Sequence, residues 1–355
     1  MGFRRIDPWG VFPTCLGGTV PAFYRGMKQN TEVCVNDSQS PEKDKKDWLE
    51  CLRSRTMGHK FLYESSRQAA RWLEVHRSFS PARTDQAVLQ MYATGFSKVA
   101  EGWRGSLVQL IGLGCGGGHK EVQLALALES RRHKVRFIAA DASLPLVLSA
   151  RHRFAAVMAN PAQHIVAGWV VDIAEADLAG SLEDLAGPGK RLITFFGMIP
   201  NFEPHIIFPR LTPLLREGDQ LLLSANLAPG PDYRAGVERI LPLYDNSPTR
   251  RWLIGPLEAV GLSDEDARLD FSLVSPPQHC DLIRVQADLT FSRQVAIESE
   301  GQVFEYDQGQ LFQLFYSYRY TPGNLAETAG HYGLRIEKSW VAPSGEEGLF
   351  LMGRS

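Results

Sequence analysis

The stretch LVQLIGLGCGGGHKE, residues 107–121, decides the fold. Leu107 to Ile111 is a short apolar run. Glycines at 112, 114, 116, 117 and 118 follow it directly, and Val122 to Leu128 continues with helical spacing. Missing side chains let the backbone turn sharply and let a ligand lie against it. Strand, glycine turn and helix in that order read as the first βα unit of a doubly wound α/β fold. Gly112, Gly114 and Gly116 then belong to a nucleotide-binding loop.

Working outward, the alternation repeats. Val135 to Ala140 is a second apolar run ending at Asp141, and a helix over 144–156 follows. A third run, 164–171, ends at Asp172, and a fourth covers 191–196. A helix around 206–215 is read as stopping at Gly218, before a fifth run at 220–227. Near-continuous apolar strands alternating with helices predict a parallel sheet covered on both faces. Beyond about residue 235 the pattern changes. A helical stretch (237–260) precedes three β-like segments at 281–290, 294–306 and 310–320. Asp307-Gln308-Gly309 between the last two reads as a hairpin turn. A helix over 321–332 and strands at 339–342 and 349–352 close the chain as an antiparallel hairpin. On the other side of the glycines, residues 1–55 read as an irregular lead-in with one helix start at Ser40-Pro41. Residues 60–89 read as helical, broken at Ser80-Pro81.

Composition narrows the function classes. The 355 residues allow two domains. Lys+Arg at 38 against Asp+Glu at 40 leaves no basic excess, which argues against a dedicated nucleic-acid binder. No apolar run reaches the ~20 residues of a membrane helix, and MGFRRIDPWG lacks the apolar core of a secretory signal. A soluble, cytoplasmic protein is expected. Cys15, Cys34, Cys51, Cys115 and Cys280 are scattered without zinc spacing, so free thiols and no metal site are expected. His279 and Cys280 are adjacent, and neighbours on a strand point to opposite faces.

Two ligand readings stay open on spacing. Gly112-x-Gly114-x-x-Gly117 fits a dinucleotide fingerprint, which leaves a nicotinamide oxidoreductase in play. Asp141 sits where an acid holds ribose hydroxyls, of a dinucleotide or of S-adenosylmethionine. It lies 29 residues beyond Gly112, long against the dinucleotide spacing of about 20. Asp172 suits an adenine amino group, or else a helix cap. The closing hairpin favours the methyltransferase version of the fold. FFGMIPNFEP (195–204) delivers Asn201 to the carboxyl edge of the sheet, where ligands of open α/β sheets bind; a plain turn residue is the alternative. Tyr63, Trp72 and Phe312 are aromatic candidates for a pocket wall or for the core.

Short motifs recur in one order from Lys60 to the C-terminus: KFLYESS, SFSPARTD, LGCGGGHKE, AADAS, VVDI, FFGMIPNFEP, LYDN, YSYRYTP and GLFLM. In these the chain resembles the S-adenosylmethionine-dependent histidine-specific methyltransferases of ergothioneine biosynthesis and the related fungal dimethylallyltryptophan N-methyltransferases. The resemblance implies a Rossmann-like class I methyltransferase domain (83–235 plus 318–355) and a second α+β substrate-binding domain (56–82 plus 236–317), with 1–55 as an N-terminal extension. It implies that Gly114, Lys120, Asp141, Asp172 and Ile173 contact the cofactor. Asn201 would hold the substrate's amino or carboxylate end and Tyr244 its carboxylate. Asn and Tyr suit methyl transfer because they orient a neutral amine without a competing charge. Tyr63, in KFLYESS, would join the substrate pocket.

Three departures matter. The family's glutamate that grips an imidazole falls on Phe315, while its serine is kept as Ser317. Its carboxylate-side tyrosine falls on Phe79. The acid that usually precedes the glycines is absent at Ile111. The expected activity is N-methylation of a free amino acid or amine other than histidine, of the kind found in natural-product biosynthesis. The expected partner is a small molecule, with no nucleic acid and no membrane. Aminocarboxypropyl transfer from the same cofactor, nicotinamide-dependent oxidoreduction and a degenerate scaffold that only binds a partner are the alternatives.

Overall fold

The computed structural model describes residues 33–158, 166–187, 189–279 and 281–355. Expectations for residues 1–32, for the start of the third apolar run and for Cys280 lie outside the described residues. The strands are β1 (Val33–Val35), β2 (Leu107–Leu113), β3 (Lys134–Asp141), β4 (Val166–Val170), β5 (Arg191–Phe196), β6 (Gln220–Asn226), β7 (Ala267–Val274), β8 (Ile283–Phe291), β9 (Val295–Ser299), β10 (Gln302–Tyr306), β11 (Leu311–Arg319), β12 (Leu334–Val341) and β13 (Glu347–Arg354). The helices are α1 (Pro41–Ser54), α2 (Ser66–Phe79), α3 (Pro81–Thr84), α4 (Gln86–Gly102), α5 (His119–Ser130), α6 (Leu144–Val157), α7 (Leu178–Ala186), α8 (Pro204–Leu211), α9 (Tyr233–Ile240), α10 (Ser247–Glu258) and α11 (Pro322–His331).

Eight strands form one sheet in the order β1-β4-β3-β2-β5-β6-β13-β12. Pairing is parallel from β1 to β6; β13 then runs antiparallel to β6 and β12 antiparallel to β13. This is the doubly wound fold with a closing antiparallel hairpin. Both faces are buried, which is why the strands read as continuous apolar runs. On β6, Leu221 and Leu223 enter one core with Ile111, Phe195 and Phe208, while Leu222 enters the other with Leu110, Phe137 and Phe154. The strand order reverses between β2 and β5, and in open α/β sheets the crevice at such a point takes the ligand.

Gly118 sets how closely α5 approaches α6. It caps the start of α5 at φ +70, and a Cβ there would lie 2.8 Å from the Ala150 Cα of α6. Glycine tolerates both the left-handed backbone and the contact.

A second, antiparallel sheet has the order β11-β8-β7. Alternate residues of β8 (Val285, Ala287, Leu289, Phe291) are buried, and Leu52, Leu62, Trp252 and Leu253 from the helical side share a core with Leu289 and Phe291. A bulge between Gln313 and Phe315 shifts the β11 register, and such bulges re-aim side chains. Beyond β11, Tyr320 bridges to Leu227 just after β6. The strand that carries Phe315, Ser317 and Arg319 therefore ends at the carboxyl edge of the large sheet.

Several expectations are corrected. Residues 294–306 are two strands, β9 and β10, paired as a hairpin around Glu300-Gly301, both at positive φ. Left-handed turn residues match the strand twist, and a glutamate gave no turn signal there. Asp307-Gln308-Gly309 is not a hairpin turn, because β10 pairs with β9 and β11 with β8. Helix α8 ends at Leu211, before the Pro213 of a short 3-10 segment, Thr212–Leu214, rather than at Gly218. The lead-in is not irregular throughout: Val33–Val35 adds an edge strand to the large sheet. Strand β7 lies between the expected helical stretch and the first expected β segment, where no element was expected. Ser40 does cap α1, accepting from the Lys43 N–H at 3.3 Å, with Pro41 in the first turn.

Candidate active site

A cavity of about 390 Å³ opens at the β2/β5 switch point. Of the residues singled out from sequence, Tyr63, Phe79, Gly114, Gly116, Lys120, Asp141, Asn201, Tyr244, Phe315 and Ser317 all line it. They arrive from different elements. Gly114 and Gly116 follow β2, Asp141 ends β3, and Asn201 ends the 3-10 turn Ile199–Asn201 after β5. Tyr244 precedes α10, and Phe315 and Ser317 lie on β11.

Gly112, Asp172 and Ile173 are not among the lining residues. Gly112 lies within β2, where a Cβ would meet the Glu121 Cγ at 3.0 Å, so its bare face seats α5. The Asp172 carboxylate accepts from the Ala174 N–H at 2.9 Å, and its own N–H donates to the Ser38 hydroxyl at 3.0 Å. Ile173 is buried in the core of one sheet face.

At the glycine end, the two Asp141 carboxylate oxygens accept from the Gly116 N–H at 2.9 Å and the Ser143 N–H at 3.0 Å. Burial pushes its carboxyl up to about 6, and these N–H groups with that of Ala142 hold it lower than it would otherwise be. The carboxylate is thus pinned across the loop. Gly114, at φ +62, lies under Met198, whose Cγ would be 2.6 Å from an added Cβ. Arg77, Arg83 and Arg153 line the same end, and Arg153 donates to the Gly117 carbonyl at 2.8 Å. Burial, with Lys120, Arg83 and His119 nearby, pulls His76 down to about 3, so that ring is neutral at pH 7. The guanidinium groups of this end are available to a carboxylate.

Lys120 turns inward. Its Nζ donates to the Tyr92 hydroxyl at 2.8 Å and lies 3.2 Å from Glu347 Oε1, while the Tyr92 hydroxyl donates to the same carboxylate. Beside it, burial raises the Glu121 carboxyl to about 7.

At the far end, Phe315 packs edge-on to Trp252, with ring centroids 5.6 Å apart. Arg319 Nη2 donates to the Tyr244 hydroxyl at 2.7 Å, and that hydroxyl donates to Ser317 Oγ at 3.0 Å. Arg319 is 7 % exposed, lines the cavity and keeps its Nε without a hydrogen-bond partner. Sequence reasoning missed it, although a signal existed: strand side chains alternate, so 315, 317 and 319 share one face. Tyr92 and Glu347 were missed for want of any local signal.

Among the described residues no helix is long and apolar enough to cross a membrane. No family model matches the chain, and no curated protein matches it. Solved structures similar to it include a magnesium protoporphyrin IX methyltransferase from Synechocystis with bound S-adenosylhomocysteine, at 13 % identity and TM-score 0.42, covering 82 % of this chain and 97 % of that one. The mitomycin 7-O-methyltransferase MmcR is similar at 12 % identity and TM-score 0.42, covering 90 % and 70 %. A Burkholderia thailandensis 1,6-didemethyltoxoflavin-N1-methyltransferase is similar at 12 % identity and TM-score 0.39, covering 88 % and 90 %. At these identities the likeness reaches no further than the fold, which the strand order already gives.

Proposed function

We propose that the chain is an S-adenosylmethionine-dependent N-methyltransferase acting on the amino group of a free amino acid with an apolar or aromatic side chain, and not histidine. One observation carries this reading: a single cavity joins the glycine loop and Asp141 to Asn201, Tyr244, Phe315, Ser317 and Arg319.

The lining residues fit the cofactor. Its volume falls in the range of small-molecule sites, roughly 300–1,000 Å³. The position of Asp141 at the end of β3 supports a contact to ribose hydroxyls, and the arginines at the glycine end suit the carboxylate of the methionine portion. When bound, the cofactor supplies an already activated methyl group. The chain's task is then to hold an amine in line and to keep water away. Tyr244 and Ser317 offer a fixed pair of hydroxyls, and Asn201 an uncharged amide. Arg319, a buried cation that forms no ion pair among the described residues, suits the substrate carboxylate. Phe315 and Trp252 present an apolar wall where an imidazole would need an acceptor. In this reading residues 83–235 plus 318–355 hold the cofactor, and 56–82 plus 236–317 complete the substrate side.

Calorimetry with S-adenosylmethionine and S-adenosylhomocysteine tests the first half, and binding of neither overturns it. A mass-spectrometric screen of free amino acids tests the second. A gain of one or more methyl masses is expected, and a gain of an aminocarboxypropyl group identifies the other transfer chemistry. Histidine as the best substrate overturns the specificity argument.

A further inference from the structure

We propose that Glu203, His205 and His279 form a binding site for a divalent transition-metal ion of the zinc class, outside the cavity described above. One ligand atom from each of the three lies within 4.8 Å of the others. His205 Nδ1 is 3.0 Å from His279 Nε2, and His279 Nε2 is 3.6 Å from Glu203 Oε2. Zinc bound to imidazole nitrogen at about 2.0–2.1 Å and to carboxylate oxygen at about 2.0–2.2 Å places neighbouring tetrahedral ligands roughly 3.3–3.5 Å apart. The two observed separations bracket that spacing, so small side-chain rotations complete three corners.

The carboxylate is held as metal-binding carboxylates are, by an outer layer of donors. Tyr318 donates its hydroxyl to Glu203 Oε2 at 2.7 Å, and Arg284 Nη1 donates to Oε1 at 3.0 Å. The guanidinium thus engages Oε1, while Oε2 is the oxygen that lies 3.6 Å from His279 Nε2. Arg284 is itself stacked over the Tyr316 ring, 4.5 Å from its centroid, and bonded to Gln286. His205 is exposed, which leaves the fourth position to water. Two imidazoles and one carboxylate favour zinc and its transition-metal neighbours over calcium or magnesium, which want oxygen ligands throughout. Glu203 follows Asn201 by two residues, and His279 ends the Pro277–His279 turn before β8. A bound ion would tie these two turns together.

The test is equilibrium dialysis of the full chain, stripped of metal, against Zn²⁺, with metal analysis and with Mg²⁺ and Ca²⁺ as comparisons. The parent is expected to retain about one more equivalent of zinc than His205→Ala or His279→Ala. Tyr318→Phe, which keeps every ligand, is expected to weaken binding about 10-fold. With Co²⁺, the parent should show d–d bands without the intense charge-transfer absorption of a thiolate ligand. Zinc retention equal in parent and both histidine variants, no zinc retained by the parent, or a thiolate band that the histidine variants keep, overturns the proposal. Because His205 is exposed, loss of zinc in His205→Ala with an unchanged unfolding midpoint separates a lost ligand from a lost fold.

Discussion

The Tyr244 hydroxyl donates to Ser317 Oγ at 3.0 Å, across 73 residues of chain, and accepts from Arg319 at 2.7 Å. The phenol is therefore fixed in orientation at the wall of the cavity. Tyr244→Phe removes the hydroxyl and leaves Arg319 one partner fewer. Hydrogen bonds to charged groups contribute about 1.5–3 kcal/mol, so methyl transfer should fall roughly 10- to 150-fold in kcat/KM, with cofactor affinity unchanged. Steady-state kinetics beside calorimetry check this. Equal losses in turnover and cofactor binding would place Tyr244 at the wrong end of the cavity.

Arg319 is buried beside that pair with its Nε unpartnered. If it receives the substrate carboxylate, the parent should methylate an amino acid far faster than the amine made from it by decarboxylation. Arg319→Met should erase most of that difference, chiefly through KM, because a charge-assisted, bidentate contact is lost. Rates for phenylalanine and phenethylamine, in parent and variant, measure it. A parent indifferent to the carboxylate would count against Arg319 while leaving methyl transfer intact.

Phe315 packs against Trp252 at 5.6 Å and His59 at 5.8 Å, centroid to centroid. It offers an imidazole no acceptor. Phe315→Gln introduces one without an ionised group, and histidine should gain about 10-fold against phenylalanine as substrate. Competition between the two amino acids, read by product mass, decides it. No change in the ratio would remove Phe315 as a specificity residue.

The legibility of these features follows from how local their causes are. The strand, glycine turn and helix at 107–128 announce themselves because apolar spacing and missing side chains are properties of neighbouring residues. Asp141 and Asn201 were legible as candidates because each follows an apolar run, whereas Tyr244 and Ser317 were candidates only through the resemblance carried by LYDN and YSYRYTP. Lys120 was found, but its direction was not: its partners Tyr92 and Glu347 lie 28 and 227 residues away. No local spacing links Glu203, His205 and His279, because 74 residues separate the two histidines. The Glu300-Gly301 turn escaped because a glutamate seldom adopts the left-handed backbone it has there.

Gly114 and Gly118 should respond differently to alanine although both sit at positive φ, +62 and +70. Each pays about 1–2 kcal/mol for an L-residue in the left-handed region. At Gly114 the three atoms nearest an added Cβ all belong to the Met198 side chain, which can move; at Gly118 it meets the Ala150 Cα, which cannot. Gly114→Ala should therefore be partly rescued by Met198→Ala. Gly118→Ala should be the more destabilising and should gain nothing from that second change. Urea unfolding of the single and double variants measures the coupling, and equal destabilisation by the two alanines would contradict it.

Glu121 is 2 % exposed, and burial pushes its carboxyl from the usual 4.5 up to about 7. The folded chain therefore keeps a proton there that the unfolded chain releases near 4.5. Across that window the group's contribution to stability declines as pH rises, and above about 7 the full cost of a buried charge is present. Glutamine cannot ionise and can still accept from the Thr194 hydroxyl, now 3.3 Å from Glu121 Oε1. At about 1.36 kcal/mol per pKa unit, Glu121→Gln should stabilise the fold by up to about 3 kcal/mol near pH 8. The gain should shrink through neutral pH and vanish near pH 4.5, where both folded and unfolded parent chains carry the proton. Urea midpoints of parent and variant, followed by tryptophan fluorescence across that range, provide the comparison. A gap independent of pH would mean that Glu121 stays ionised in the fold, held by Lys120 rather than neutralised by burial.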